Sequence, residues 1–239
     1  MISVCIATYN GERFIRGQIE SILPQLKAED ELVISDDCSK DQTLDIIKSY
    51  NDSRIKIFEG PAKGHPRYNF ENGLNHCKGD YIFLCDQDDL WEDKRVSTFL
   101  YYLNVYDLVV CDCTIVDENN NVVKSSFMER RPSKRRGFFS NLIANHYIGC
   151  CMAFRRNLLE DVLPFPPNIA QHDMWIGLCA EYLDYRILFI KDKLTRYRRY
   201  GENFSQDNLG TLVRIKYRIY LLIQIVFGKT KNKLKKIGL

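Results

Sequence analysis

The stretch Tyr81-Ile82-Phe83-Leu84-Cys85-Asp86-Gln87-Asp88-Asp89 runs an apolar segment straight into an acidic turn. An apolar run without polar alternation marks a strand buried on both faces, and so a central strand of a parallel sheet. Asp86, Asp88 and Asp89 lie within four residues and repel one another, so the turn calls for a neutralising positive group. Hard oxygen ligands on a short turn suit Mg²⁺ or Mn²⁺, which complete their shell with water and substrate phosphates. The structural alternative is a solvated turn that caps the next helix with help from Asp93.

N-terminal to this stretch the same pattern repeats. Residues 2–7 are apolar and end in Thr8-Tyr9-Asn10-Gly11, a strand followed by a turn. Phe14, Ile15, Ile19, Ile22 and Leu23 then recur at helical spacing. Residues 31–35 predict a second strand, closed by Asp36-Asp37-Cys38-Ser39-Lys40-Asp41, and residues 43–50 a helix. Residues 55–58 predict a third strand, and Pro66 suits the first turn of a helix reaching about residue 77. Strands separated by such helices imply right-handed βαβ crossovers and a mostly parallel sheet, with ligands at the carboxyl ends of the strands. Thr8 to Asn10, Asp36 and Asp37, and Asp86 to Asp89 all fall at those ends.

C-terminal to it the pattern is mixed. Strands are expected at 108–116, 150–154, 186–190 and 195–200, with a hairpin turn at Asp117-Glu118-Asn119-Asn120-Asn121 before Val122-Val123. A loop is expected over 125–137, a helix over 172–180, and an apolar-basic helix from about 207 to 227.

Composition narrows the classes. A chain of 239 residues with 45% hydrophobic and 27% charged content is an ordinary globular protein. A net charge of +3 gives no global case for nucleic acid. Most cysteines sit in apolar runs, as Cys5, Cys85, Cys111, Cys150 and Cys151 do, and read as small core residues. Their odd number points to a reducing compartment. Cys111 and Cys113 are placed on opposite faces of a strand, and no Cys-x-x-Cys pair suggests zinc. The start Met1-Ile2-Ser3-Val4 lacks the basic region of a signal peptide, and no run reaches bilayer-spanning length. The expected location is cytoplasmic, with peripheral contact at the inner face of the cell membrane as an alternative.

Three clusters leave two readings open. Asp36 or Asp37 caps a helix, or accepts hydrogen bonds from a pyrimidine imide or a ribose hydroxyl. Thr8, Tyr9, Asn10 and Glu12 form a helix entry or a nucleoside-binding turn. Asp173, in His172-Asp173-Met174-Trp175, is a helix cap or a general base.

Taken in order, these residues resemble the family-2 glycosyltransferases over roughly residues 1–205. Ile2-Ser3-Val4-Cys5-Ile6-Ala7-Thr8-Tyr9-Asn10 resembles the family's first strand and turn, and Asp36-Asp37-Cys38-Ser39-Lys40-Asp41 its Asp-Asp-x-Ser-x-Asp segment. Asn75-His76-Cys77-Lys78-Gly79-Asp80 leads into Asp86-Gln87-Asp88, which fits the Asp-x-Asp motif, and His172-Asp173-x-Trp175 stands where the catalytic carboxylate belongs.

The resemblance implies a GT-A fold, a Rossmann-like α/β sheet flanked by helices with a smaller mixed acceptor-side part. It also implies an inverting, metal-dependent transfer from a dTDP- or UDP-sugar to a saccharide or lipid-linked saccharide, with Mn²⁺ or Mg²⁺ as cofactor. By position, Asp36, Asp37 and Asp86 face base and ribose, Thr8, Tyr9, Asn10 and Glu12 line the nucleoside pocket, Asp88 binds metal, and Asp173 is the base. Arg198, Arg199, Tyr200, His172 and Trp175 fall on the diphosphate and acceptor side. The sequence variants also resemble bacterial rhamnosyltransferases of surface-polysaccharide synthesis. One departure is Tyr200, where the family often carries His; Tyr offers no neutral nitrogen ligand. Residues 1–206 are expected to form the catalytic domain, with 1–112 the nucleotide-sugar half and 113–206 the acceptor half, and 207–239 a basic helical extension.

Arg130 to Arg136 read as a solvated loop or a lid over an anionic ligand. The C-terminal segment reads as a helix packed on the domain or on a second subunit as a homodimer, or as a peripheral membrane anchor. Two rival functions are a sugar nucleotidyltransferase, disfavoured by the glycine-poor loop after the first strand, and a nucleotide-sugar-binding module without turnover.

Overall fold

Val4 and Ile6 on one strand and Phe83 and Cys85 on its neighbour are fully buried, which fixes the middle of the sheet. The structure, a computed structural model, describes residues 1–130, 137–201 and 210–236. Its first half alternates β1 (Ile2–Thr8), α1 (Ile15–Ile22), β2 (Glu31–Asp36), α2 (Thr43–Lys48), β3 (Ile55–Glu59), α3 (Pro66–His76) and β4 (Tyr81–Asp86). These four strands pair in parallel in the order β3-β2-β1-β4, as βαβ crossovers require. Thr8 is level with Asp36, and Ala7 with Asp86, so the carboxyl ends of β1, β2 and β4 finish together.

Beyond β4 the sheet becomes mixed. It continues with β8 (Met152–Arg155), β6 (Leu108–Val116), β9 (Ile187–Arg198) and β5 (Leu90–Trp91), while β7 (Val122–Lys124) pairs with β6. β8 runs antiparallel to both β4 and β6, and β9 parallel to β6. The boundary placed at residue 112 therefore falls within β6, and both halves share one sheet.

The helices cover the sheet with apolar stripes. α3 packs on β1 and β2, and α4 (Arg95–Leu103) on β6, β8 and β9 through buried Val96, Phe99 and Leu103. α5 (Phe138–Ile143) and α6 (Asn157–Val162) lie against α7 (His172–Tyr182), which is buried almost all round. α8 (Thr211–Lys236) packs on α7 through Leu221 and Ile225.

Several expectations are corrected. The strands expected at 186–190 and 195–200 are one strand, β9: Lys191 and Asp192 bulge to solvent where the register with β6 shifts, and pairing resumes at Lys193. The strand expected at 150–154 starts late, after a tight 3₁₀ turn at Gly149–Cys151. Cys111 and Cys113 do not diverge: both thiols reach Cys151, since residues two apart share a strand face. α8 continues past residue 227 because its lysine-rich end is a good helix former. Residues 131–136 of the basic loop, and 202–209, lie outside the described residues. All nine cysteines are thiols, and only Cys38 is not buried.

Gly79, between α3 and β4, tests the fit of this core. A Cβ there would lie 2.5 Å from the backbone nitrogen of Ser3, which cannot move aside, while its own N–H donates to Ser3 Oγ at 2.7 Å. Gly79→Ala is expected to lower the free energy of unfolding in urea by about 1–3 kcal/mol, the usual range for overpacking.

Candidate active site

Hydrogen bonds tie the carboxyl ends of β1, β2 and β4 to one another. Thr8 Oγ1 donates to Asp36 Oδ1 at 2.8 Å, and Asp36 also accepts from Ser39 N and Ser39 Oγ. This turn forces Cys38 to φ 64° and brings Ser39 to accept from Asn10 N at 2.9 Å. Asn10, at φ 47°, accepts in return from Lys40 N. Glu12 accepts from Gln42 N at 2.8 Å, while Asp37 accepts from Lys63 N and Gly64 N. Asp36 and Asp37 are thus used by loops rather than as caps of α2, whose N-cap is Gln42. Gln87 makes two bonds to the backbone of Tyr9, accepting from its N at 2.9 Å and donating to its O at 3.0 Å. Tyr9 itself is half-exposed beside this junction.

The acidic turn faces the same edge. Burial pushes the Asp86 carboxyl up to about 8, helped by the charges of Asp88 and Asp173. Burial also raises Asp88, and raises Asp89 strongly with the help of Asp88 and Asp86. Asp88 bonds to the Tyr200 phenol, which favours its charged form. Asp89 accepts from Arg198 N through Oδ1, while its buried Oδ2 has no hydrogen-bond partner. Ligand atoms of Asp86, Asp89 and Cys150 lie within 4.8 Å of one another. An unpartnered buried carboxylate oxygen among like charges fits a divalent cation, with carboxylates as hard ligands.

Arg198 and Trp175 turn away from this edge. Arg198 is nearly buried; its Nε donates to Asp88 O and its Nη1 to the carbonyls of Asp117 and Glu118. It holds the acidic turn from beneath. Arg199 is partly exposed and joins β6 through its N–H to Val116 O. Trp175 is fully buried, and its Nε1 donates to Val162 O at 2.9 Å.

Asp173 lies in the first turn of α7 and bonds to the loop before β8. Its Oδ1 accepts from Met174 N at 2.7 Å and its Oδ2 from Gly149 N at 3.2 Å. Burial holds its carboxyl up at about 6, and its charge is felt at Asp86. His172 stacks on Phe70 at 4.0 Å, its Nε2 is buried without a hydrogen-bond partner, and burial depresses it to about 3.

The family model for glycosyl transferase family 2 matches residues 3–163, which contain every strand end described above except that of β9. The chain belongs to this family. Among family relatives, it is 24% identical over 250 residues to the UDP-Glc:alpha-D-GlcNAc-diphosphoundecaprenol beta-1,3-glucosyltransferase WfgD of Escherichia coli, covering 97% of this chain and 95% of that one. It is 25% identical to the dTDP-rhamnosyl transferase RfbG of Shigella flexneri, over 88% of this chain and 77% of that one. It spans only 62% and 66% of the length of two other curated relatives. Of solved structures, the Staphylococcus aureus TarS fragment with UDP-GlcNAc superposes with a TM-score of 0.74 at 21% identity, covering 94% of this chain and 66% of that one. A Pyrobaculum calidifontis mannosyltransferase with GDP-Man and Mn²⁺ gives 0.61 at 18% identity, covering 99% and 67%. These two likenesses show the fold, the GT-A arrangement of the family.

Arg95 and Gln87 of this family member are not singled out from sequence, and Asp89 reads there only as one of three carboxylates on the acidic turn. Asp89 belongs to the acidic cluster, yet its deep burial depends on β9, which is remote in sequence. Arg95 is fully buried and donates to Cys150 O at 2.7 Å, Leu194 O, Cys111 Sγ and Thr195 Oγ1, joining the loop before β8 to β9. Gln87 is the middle letter of its motif, and nothing local announces its bonds to Tyr9.

The raised carboxyls carry a pH prediction. The fold favours protonated Asp173, so its contribution to stability is complete below about pH 4 and is lost as pH rises through 6. Asp86 extends that loss to about pH 8. In metal-free buffer the unfolding temperature is expected to fall between about pH 4 and 6, and to fall less in Asp173→Asn; equal slopes there would show that burial does not raise this carboxyl.

Proposed function

We propose that the protein transfers a sugar, with inversion, from a nucleoside-diphosphate donor to a hydroxyl of a saccharide or lipid-linked saccharide in surface-polysaccharide synthesis. The arrangement that supports this reading is Asp173 bonded to Gly149 N, next to Cys150, which lies with Asp86 and Asp89, while the turns after β1 and β2 end at the same sheet edge. WfgD and RfbG, named for glucosyl and rhamnosyl transfer, support a donor of the UDP- or dTDP-sugar class and an acceptor of the lipid-diphosphate class. Residues 1–206 serve as the catalytic unit, and 207–239 as an extension.

Thr8, Tyr9, Asn10, Glu12, Asp36 and Asp37 frame the nucleoside. Asp88 would hold a divalent metal, Mn²⁺ or Mg²⁺, with the buried Asp89 carboxylate beside it and Asp86 toward the ribose; the metal when bound would neutralise the diphosphate. Mn²⁺ in the mannosyltransferase of the same fold supports this assignment. Asp173 accepts the proton of the acceptor hydroxyl. That oxygen then attacks the anomeric carbon on the face opposite the breaking bond to the diphosphate, so configuration inverts. A base held near 6 is largely ionised at neutral pH yet basic enough to take the proton.

Asp173→Asn is expected to lower kcat by about 10²–10⁴-fold while leaving the KM for donor nearly unchanged. The wild-type rate should rise with pH through about 6. For the metal site, the unfolding temperature is read with UDP, dTDP, GDP or CMP, with and without Mn²⁺. One diphosphate should stabilise the protein only when Mn²⁺ and Asp88 are both present. Stabilisation that survives Asp88→Ala would remove that residue from the site. Strong nucleotide binding with neither transfer nor donor hydrolysis would favour a binding module, a reading to which Tyr200 at the usual His position lends itself.

A further inference from the structure

α8 carries two apolar faces, and only one of them is covered. Leu221 and Ile225 pack inward on the domain. Leu212, Ile215, Ile219, Ile223 and Phe227 follow one another at steps of three or four, so they share a single stripe on the opposite side. They are 75%, 51%, 52%, 46% and 79% exposed. α5, which touches α8, adds Phe139 at 72% and Ile143 at 79%. A run of outward aliphatic side chains along one helix is a surface made for a partner.

Charge identifies that partner. From residue 211 to 239 the sequence holds Arg214, Lys216, Arg218 and then Lys229, Lys231, Lys233, Lys235 and Lys236, without one carboxylate. Two such helices brought face to face would repel, whereas a negatively charged surface would attract each of them. Among the described residues no helix is long and apolar enough to cross a membrane. A long helix with an apolar stripe and only cationic charges matches an element lying in the plane of a bilayer interface. We propose that the outer face of α8 docks on an anionic lipid bilayer.

The same helix holds the segment that leads into the candidate base. Tyr217 Oη accepts from Ala170 N at 2.9 Å and Gln171 N at 3.2 Å, directly before His172 and Asp173. Docking by α8 therefore sets the acceptor side of the cleft at the lipid surface. This consequence rests on the transferase reading; the docking itself does not.

Sedimentation of the full chain with phosphatidylglycerol–phosphatidylcholine vesicles tests it without reference to turnover. The wild type is expected to bind these vesicles, to bind pure phosphatidylcholine at least about tenfold more weakly, and to release at high salt. The triple variant Ile215→Ser/Ile219→Ser/Ile223→Ser should bind anionic vesicles at least about tenfold more weakly, with an unfolding temperature close to the parent's. Absent binding, or equal binding by the triple variant, overturns the proposal. A dimer in light scattering that the triple variant dissolves would assign the face to a second copy and overturn it equally. Should the triple variant unfold, wild-type binding that ignores lipid charge and salt is enough to refute it.

Discussion

Asp86, Asp88, Asp89 and Asp173 share one dehydrated cleft, and the surrounding structure is shaped by their mutual repulsion. Burial is the first cause of the raised carboxyls in all four, with neighbouring carboxylates next at Asp86 and Asp89. A shift of one pKa unit corresponds to about 1.4 kcal/mol between the charged and neutral forms, so the ionised cluster is a substantial load on the fold. Among the described residues, Arg198 offsets part of it at Asp88 through its charge. Arg198 spends its guanidinium on carbonyl oxygens, and Arg95 lies over Trp91 and Phe99 while bonding to Cys150 O. The rest of the cluster's charge is open to compensation by a bound cation.

Such a site works only if its walls keep their spacing without the ligand. The turn after β1 is held to the turn after β2 by Thr8, Asn10 and Ser39, and to the acidic turn by Gln87. Gly11 belongs to this junction, because a Cβ there would collide with the Gln87 carboxamide. Cys38 and Asn10 adopt left-handed backbone angles that only a well-supported turn sustains. Donors and acceptors are paired within the loops themselves, which leaves the edge arranged before a ligand arrives.

The first four strands and the carboxylate clusters were legible because their signals are local. An apolar run followed by a turn gives a buried strand, and the crossover rule then places all their ends on one edge. The pairing across the second half was not legible. β9 contains three charged residues that interrupt its apolar pattern, and only its pairing with β6 on both sides of a bulge there shows that it is one strand. α4 has a helical stripe in Val96, Phe99 and Leu103 that periodicity alone would have found. Trp175 stands in a recognisable motif yet points into the core, since a motif fixes a backbone position and the helix phase decides the direction. Arg198 shows the same limit: its charge suggested a diphosphate partner, whereas its geometry makes it the support of the acidic turn.

Tyr200 brings these constraints to one point. It follows directly from β9, packs its ring 5.1 Å from Phe14, and offers its phenol to Asp88. A histidine there would present a neutral nitrogen to a metal, whereas a protonated phenol presents a donor to a carboxylate. The hydrogen bond favours ionised Asp88, opposing the burial that would protonate it. Tyr200 therefore helps keep the acidic turn charged by donating to Asp88. It also adds to the bonds by which Arg198 joins the C-terminal end of β9 to the motif after β4.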